Sequence, residues 1–190
     1  MEDSEPIAIR IHGRGGQGSV TSAELVAQAA ISEGKYAQAF PSFGPERRGA
    51  PVQAFIRIDD HKQIRVRAGI TKPDIVVVLD PSLLNIVDIT SGLKSDGMMV
   101  INAKSSFKDI EEKFGTGYKL AIIDATSIAR DFLGRPIVNT TMIGSLVKAS
   151  GIVKLESLFQ PLEKRFGRLA EKNKNAMKQA YTETKIKGEG

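Results

Sequence analysis

The chain has 190 residues, of which 41% are hydrophobic and 26% are charged. These values exclude an intrinsically disordered chain and are typical of one domain of ordinary size. The sequence contains no cysteine, which excludes disulfides, thiolate-bound zinc and iron–sulfur clusters held by this chain.

The net charge of +5 raises the question of a nucleic acid partner. The C-terminal lysines and arginines are interleaved with glutamates, which is typical of a solvated helix face. No groove-reading motif or stacking platform accompanies them, so no nucleic acid partner is expected.

No apolar run approaches the roughly 18 residues of a membrane span, and the acidic residues 1–6 are unlike a signal peptide. We therefore expect a cytoplasmic protein with no membrane partner.

A strand, a glycine-rich turn and a helix are predicted at the start of the chain. Residues 7–11 alternate as in a buried strand, and residues 19–33 have helical spacing. The turn between them consists of Gly13, Arg14, Gly15, Gly16, Gln17 and Gly18. Glycines allow backbone N–H groups to approach a bound group, and the following helix directs its positive end towards it. The pattern therefore predicts binding of a phosphate or carboxylate.

Two observations limit this interpretation. A dinucleotide site needs an acidic residue about 20 positions after the turn, whereas residues 36–42 contain no carboxylate, so NAD is not expected. The glycines could instead only pack the helix against the strand. The chain has just two histidines, so neither a histidine-based metal site nor a catalytic triad is expected, and His12 is predicted to have a structural role at the end of the strand.

Residues 38–51 are predicted to form a long structured loop, because they contain three Pro and two Gly. Phe40 and Phe43 favour an interface or ligand loop, although these rings could fill the chain's own core while the arginines face water. Residues 52–58 and 63–68 both alternate, and four polar residues join them. This pattern predicts a β-hairpin and hence a mixed sheet.

The remaining elements alternate between strand and helix. Strands are predicted at 75–79, 98–102 and 119–124, and helices from Pro81 and at 105–114, 125–133, 139–150, 155–166 and 169–181, with residues 185–190 frayed. Asn139 and the threonines after it are predicted to cap their helix, or else to hold a ligand group. The fold class is therefore α/β, a three-layer α/β/α domain with a mixed, mostly parallel sheet, a Rossmann-like first β-turn-α and one antiparallel hairpin. We expect a single domain over residues 1–190, with the C-terminal helices (about 155–184) packed on or beside it.

Three ordered motifs carry a family resemblance. They are the glycine turn followed by Thr21-Ser22-Ala23-Glu24, the stretch at 38–51, and Asn139-Thr140-Thr141-Met142-Ile143-Gly144. Together they resemble the gamma subunit of 2-oxoacid:ferredoxin oxidoreductases, the pyruvate enzyme especially. The resemblance covers nearly the whole chain and is weakest at 103–118 and after 167.

The resemblance implies a subunit of a multichain enzyme that has no activity when isolated. The family decarboxylates a 2-oxoacid oxidatively on thiamine diphosphate, passes electrons through iron–sulfur clusters to ferredoxin, and releases an acyl-CoA. It implies that alpha and beta subunits bind thiamine diphosphate and magnesium, that a ferredoxin-like delta subunit carries the clusters, and that the gamma chain shares coenzyme A with its partners.

The expected site residues combine the motifs with this resemblance. No catalytic or metal-binding residue is expected. The predicted CoA contacts are Gly13, Arg14, Gly15, Gly16, Gln17, Gly18, Arg47, Arg48, Asn139 and Thr140, and the predicted interface residues are Phe40, Ser42, Phe43, Pro45 and Glu46. The alternatives are an autonomous nucleotide-binding Rossmann-like protein and a basic scaffold that binds nucleic acid.

Overall fold

The structure is a computed structural model that describes residues 5–42, 48–66 and 68–189. The strands are β1 (Ile7–Arg14), β2 (Tyr36–Pro41), β3 (Pro51–Asp59), β4 (Ile75–Val78), β5 (Met98–Asn102), β6 (Lys119–Ile123) and β7 (Lys185–Ile186). The α-helices are α1 (Ser19–Ser32), α2 (Phe107–Phe114), α3 (Ala125–Leu133), α4 (Asn139–Ser150), α5 (Phe159–Phe166) and α6 (Ala170–Glu183). Short 3₁₀ helices span Pro81–Asn85, Leu155–Leu158 and Gly167–Leu169.

The described strands form one sheet of seven, in the order β2-β3-β1-β4-β5-β6-β7. β1, β4, β5 and β6 are parallel neighbours. β3 is antiparallel to both β1 and β2, and β7 is antiparallel to β6. Five of the seven strands therefore run in one direction, which confirms the predicted mixed, mostly parallel sheet.

Both faces of the sheet are covered, as the three-layer prediction requires. Alternate strand residues such as Ile9, Ile56 and Val77 pack under α1, α3, α4, α5 and α6. On the other face, residues such as Val78 and Ile101 pack against the Pro81–Asn85 helix and α2. Strands β4 to β6 read as continuous apolar runs because they are buried on both faces.

The predicted location of the hairpin is wrong. β3 pairs with β2 on one side and with β1 on the other, so residues 38–41 are strand and not loop, whereas the described residues of 63–68 form no strand. Side chains from the sheet satisfy the carbonyl groups of this segment. Arg57 donates hydrogen bonds to Val66 O and Ala68 O, and Gln38 donates to Ile64 O. The segment therefore lies over the sheet without needing a strand partner.

The predicted fraying after residue 184 is also wrong for the described residues. Ile186 pairs with Ala121 across β7 and β6, and Lys187 N donates to Leu120 O at 2.9 Å. These bonds occupy the outer edge of β6, which would otherwise expose unpaired backbone groups.

Helix α4 is the most deeply buried of the helices on the sheet face that α1, α3, α4, α5 and α6 cover. Nine of its twelve residues, from Asn139 to Val147, are buried. It crosses α6 at Gly144, where an added Cβ atom would lie 2.1 Å from the carbonyl oxygen of Met177. The two helices can therefore approach this closely only because residue 144 has no side chain.

We expect Gly144→Ala to lower the free energy of unfolding by about 2 kcal/mol or more, because a backbone carbonyl cannot move aside as a side chain can. In an ordinary helix the same change would raise stability by about 1 kcal/mol. Urea unfolding of the full chain measures the effect. Gln28→Ala, on the exposed side of α1, is the control and should change the value by less than about 0.5 kcal/mol. A neutral or stabilising Gly144→Ala would contradict the close approach of α4 and α6.

Candidate functional site

The position between the carboxyl ends of β1 and β4, which we call the crevice, is where the chain departs to opposite faces of the sheet. The two strands are parallel neighbours, but the chain leaves β1 through α1 on one face and leaves β4 through the Pro81–Asn85 helix on the other. This is the topological switch point, the position at which open α/β sheets bind ligands. The glycine turn follows β1 here, and Asp80 and Ser82 follow β4.

Side chains from both strand ends hold the glycine turn in place. Arg14 donates from Nη1 to Gly49 O at 2.9 Å and from Nη2 to Ser82 Oγ at 2.7 Å, and its Nε lies 3.2 Å from Asp80 Oδ2. Gln17 donates to the same Asp80 oxygen at 2.7 Å and accepts from Arg14 N at 2.7 Å. Arg14 and Gln17 therefore fix the turn, and the charge of Arg14 is already balanced.

The sequence analysis missed two residues of this site, Ser82 and the more important Asp80. Burial raises its pKa, but hydrogen bonds from Ser82 and Gln17 and the charge of Arg14 outweigh burial, so the net pKa is lowered. Asp80 is therefore a carboxylate at neutral pH. Its position directly after the apolar run of β4 was the available signal, because parallel strands place their carboxyl ends at one edge.

The glycines leave the start of α1 open. Gly16 and Gly18 have φ values of +93° and +83°, a region that glycine adopts without strain. Gly18 is the N-cap of α1, no described side chain caps the helix, and its first turn contains no acidic residue. The free N–H groups and the helix dipole therefore favour an anion at this position. Gly15 is already engaged, because its N–H donates to Ala50 O.

The prediction that Asn139 caps α4 is wrong. The N-cap is Val138, and no side-chain bond caps the helix. The amide of Asn139 packs against the glycine turn instead: an added Cβ on Gly18 would lie 2.6 Å from Asn139 Nδ2. Thr140 is fully buried, and its hydroxyl donates to Asn173 Oδ1 on α6 at 2.7 Å. The structure therefore brings Asn139 to the turn and uses Thr140 to join two helices.

We expect Gly18→Ala to destabilise the chain more than Gly16→Ala does, by about 1 kcal/mol. Both substitutions place a Cβ on a residue with positive φ, but nothing described lies within 4 Å of the added atom at Gly16, whereas Asn139 blocks it at Gly18. Chemical denaturation of the two variants measures the difference. Equal losses of stability would show that Asn139 moves aside without cost.

The predicted loop residues divide into two groups. Arg48 is exposed, and its neighbour Gly49 donates to Gly15 O at 3.1 Å, so the described end of the loop is fixed to the glycine turn. Phe40 packs on Phe55 with ring centroids 5.3 Å apart, and Ser42 N donates to Gln53 O. Phe43, Pro45, Glu46 and Arg47 lie outside the described residues.

His12 has the structural role that was predicted for it. It is 1% exposed, within β1, and its Nε2 accepts a hydrogen bond from Arg10 Nε at 3.0 Å. Burial and the charge of Arg10 lower the pKa of His12 to about 4. Arg10 itself also donates to Ile89 O and Ser91 O. The neutral imidazole thus helps to orient a guanidinium that attaches the loop after β4 to the sheet.

This low pKa predicts that the chain loses stability in mild acid. The unfolded state takes up a proton near pH 6.5 and the folded state only near pH 4, so stability falls as the pH decreases between these values. Between pH 7.5 and 5 the loss from His12 should be about 2 kcal/mol. His12→Gln should show a pH dependence smaller by this amount in urea unfolding at the two pH values. An unchanged pH dependence would mean that His12 is not held neutral.

No three His, Cys, Asp or Glu side chains among the described residues come close enough together to hold a metal ion. In the part of the chain that the structure describes, no helix is both long and apolar enough to cross a bilayer.

Comparison with known proteins identifies the family. The family described as "Pyruvate ferredoxin/flavodoxin oxidoreductase" matches residues 8–183. The common gamma subunit of the pyruvate/ketoisovalerate oxidoreductases of Pyrococcus furiosus is 53% identical over 182 residues, covering 95% of this chain and 98% of the relative. The chain belongs to this oxidoreductase family. The predicted recognition as a gamma subunit is thereby confirmed.

Further relatives of this gamma subunit agree. The pyruvate synthase subunit PorC of Methanothermobacter thermautotrophicus is 51% identical over 178 residues, covering 93% of this chain and 95% of the relative. The crystal structure of the pyruvate oxidoreductase subunit PORC from Thermotoga maritima has a TM-score of 0.86 at 39% identity, covering 97% of this chain and 99% of that one. A 2-oxoglutarate:ferredoxin oxidoreductase from Magnetococcus marinus shares the fold alone, with a TM-score of 0.75 at 17% identity. The match covers 95% of the gamma subunit but 31% of that longer chain.

Proposed function

We propose that this gamma subunit works in a multisubunit 2-oxoacid:ferredoxin oxidoreductase that converts pyruvate or a related 2-oxoacid to an acyl-CoA and reduces ferredoxin. The partners are thiamine-binding alpha and beta subunits, which hold thiamine diphosphate and magnesium, and a ferredoxin-like delta subunit, which carries the clusters. The gamma chain contributes contacts to CoA and to these subunits. The observation that supports this role is the uncapped start of α1 in the crevice at the switch point.

The residues of the crevice fit the phosphates of CoA. The N–H groups at the start of α1 are uncapped, and Gly16 has open space where a side chain would stand. Arg48 is an exposed guanidinium beside the same turn. Asp80 does not repel an anion at full strength, because Arg14 balances its charge. When bound, CoA supplies the thiol that accepts the acyl group, and this chain's residues orient its phosphates.

The interface role rests on the loop between β2 and β3. The guanidinium of Arg57 lies 5.3 Å from the ring centroid of Phe40, but the ring is still only half-buried. Its exposed half is apolar surface that a partner can cover. The backbone of Ser42 is fixed to β3 by its bond to Gln53. Together with Phe43, Pro45 and Glu46, these residues form the proposed contact with the thiamine-binding subunits.

A second candidate is an autonomous nucleotide-binding protein, because the crevice is built entirely from this one chain. Calorimetry on the purified chain separates the two functions. Sub-millimolar binding of a free nucleotide without any partner would favour the second candidate. No nucleotide binding by the isolated chain, with CoA binding restored in the assembled enzyme, would favour the first.

We expect replacement of Arg47 and Arg48 by Ala to raise the assembled enzyme's KM for CoA about tenfold or more, because charge-assisted hydrogen bonds to phosphate each contribute about 1.5–3 kcal/mol. Steady-state kinetics with varied CoA and saturating 2-oxoacid measure it. Arg130→Ala, an exposed arginine on α3, is the control and should leave KM unchanged. An unaltered KM in an intact complex would mean that the arginine pair does not contact CoA.

A further inference from the structure

Four exposed cations are clustered where α5 joins α6. Lys164 and Arg165 lie in the last turn of α5, Arg168 in the 3₁₀ helix Gly167–Leu169, and Lys172 in the first turn of α6. Leu169, in the middle of this group, is 52% exposed. We call these five residues the basic corner. Because about half of Leu169 is exposed, its position gives little burial of apolar surface within this chain.

The carboxylates of the same segment do not neutralise the basic corner. Glu163 and Glu171 both pair with Lys174, the latter at 3.8 Å, and the side chain of Lys174 is only 12% exposed. No described carboxylate forms an ion pair with any of the four cations of the corner. The glutamates of this segment thus pair with Lys174 and not with the cations of the corner, and the segment keeps a net positive charge.

Hydrogen bonds link the corner to the proposed site. Asn173 is 6% exposed, accepts from Thr140 at 2.7 Å and donates to Leu169 O at 2.8 Å. Arg165 Nη2 lies 3.4 Å from Thr21 Oγ1, in the first turn of α1. The basic corner therefore has a defined position beside the start of α1, at the same edge of the sheet as the crevice.

We propose that the basic corner docks on an acidic surface of a partner subunit in the same oxidoreductase, with Leu169 entering an apolar contact at its centre. This inference rests on the proposed function. Charge complementarity favours an acidic partner surface. Four cations that form no ion pair with a described carboxylate attract such a surface and orient it during association. The exposed leucine supplies apolar area that the electrostatic contact alone lacks.

The test is assembly of the full-length chain with the other subunits of its complex. Arg165→Glu with Arg168→Glu should raise the dissociation constant about tenfold or more at roughly 50 mM NaCl, and this difference should shrink at roughly 500 mM NaCl, because salt screens surface charge. The control is Lys72→Glu with Lys119→Glu, two exposed lysines at the opposite edge of the sheet. It should change the dissociation constant less than about twofold. Thermal unfolding checks that both variants are folded.

A carbodiimide, which joins amines to carboxylates in direct contact, gives an independent readout. In the wild-type complex, Lys164 or Lys172 should be linked to an Asp or Glu of a partner subunit, whereas Lys72 and Lys119 should not. Unchanged assembly of the Arg165/Arg168 variant, or a corner that retains duplex DNA while assembly is unaffected, would overturn the docking proposal alone. Failure of the wild-type chain to assemble with the subunits at all would overturn the proposed function.

Discussion

The carboxylate of Asp80 joins the two segments that leave β1 and β4 at their carboxyl ends. It follows β4, whereas Gln17 and Arg14, which contact it at 2.7 and 3.2 Å, belong to the turn and strand on the β1 side. Because the chain departs from these two strands on opposite faces, no secondary structure element spans the crevice between them. The network of Asp80, Arg14, Gln17 and Ser82 spans it instead, and it sets the position of the glycine turn.

Close packing then fixes the direction of α1. The amide of Asn139 occupies the space that a side chain on Gly18 would need. In addition, Ser22 Oγ donates a hydrogen bond to Asn139 O at 3.2 Å. The start of α4 therefore lies against the start of α1. On the other side of α4, Gly144 meets the carbonyl of Met177. Two glycines, one on each side, thus let α1, α4 and α6 stack tightly enough to keep the open helix end at the crevice.

Electrostatics separates the functions of the charged residues. Arg10 and Arg14 are bound within the chain, the first to His12 and loop carbonyls and the second to Asp80 and Ser82. These contacts fix both guanidinium groups within the fold. Arg48 and the basic corner remain exposed. Positive charge is therefore left exposed at Arg48 and at the basic corner, and both lie near the start of α1.

The sequence by itself determined the α/β class, the first strand–turn–helix unit, the apolar central strands and the family, because periodicity and short motifs are local properties. It did not determine that β2 pairs with β3, because the turn-forming residues of 38–51 made β2 look like a loop. The alternation at 63–68 suggested a strand, but Arg57 and Gln38 bind backbone carbonyl groups of this segment in place of a strand partner. Likewise, Asn139 had the local signature of a cap, and only the approach of α1 gave its amide another position. The contacts of Asp80 with Arg14 and Gln17 and the pairing of β7 with β6 depend on residues far apart in the chain. Tertiary structure alone decided them, because a side chain takes the partner that packing brings to it and not the one that sequence spacing offers.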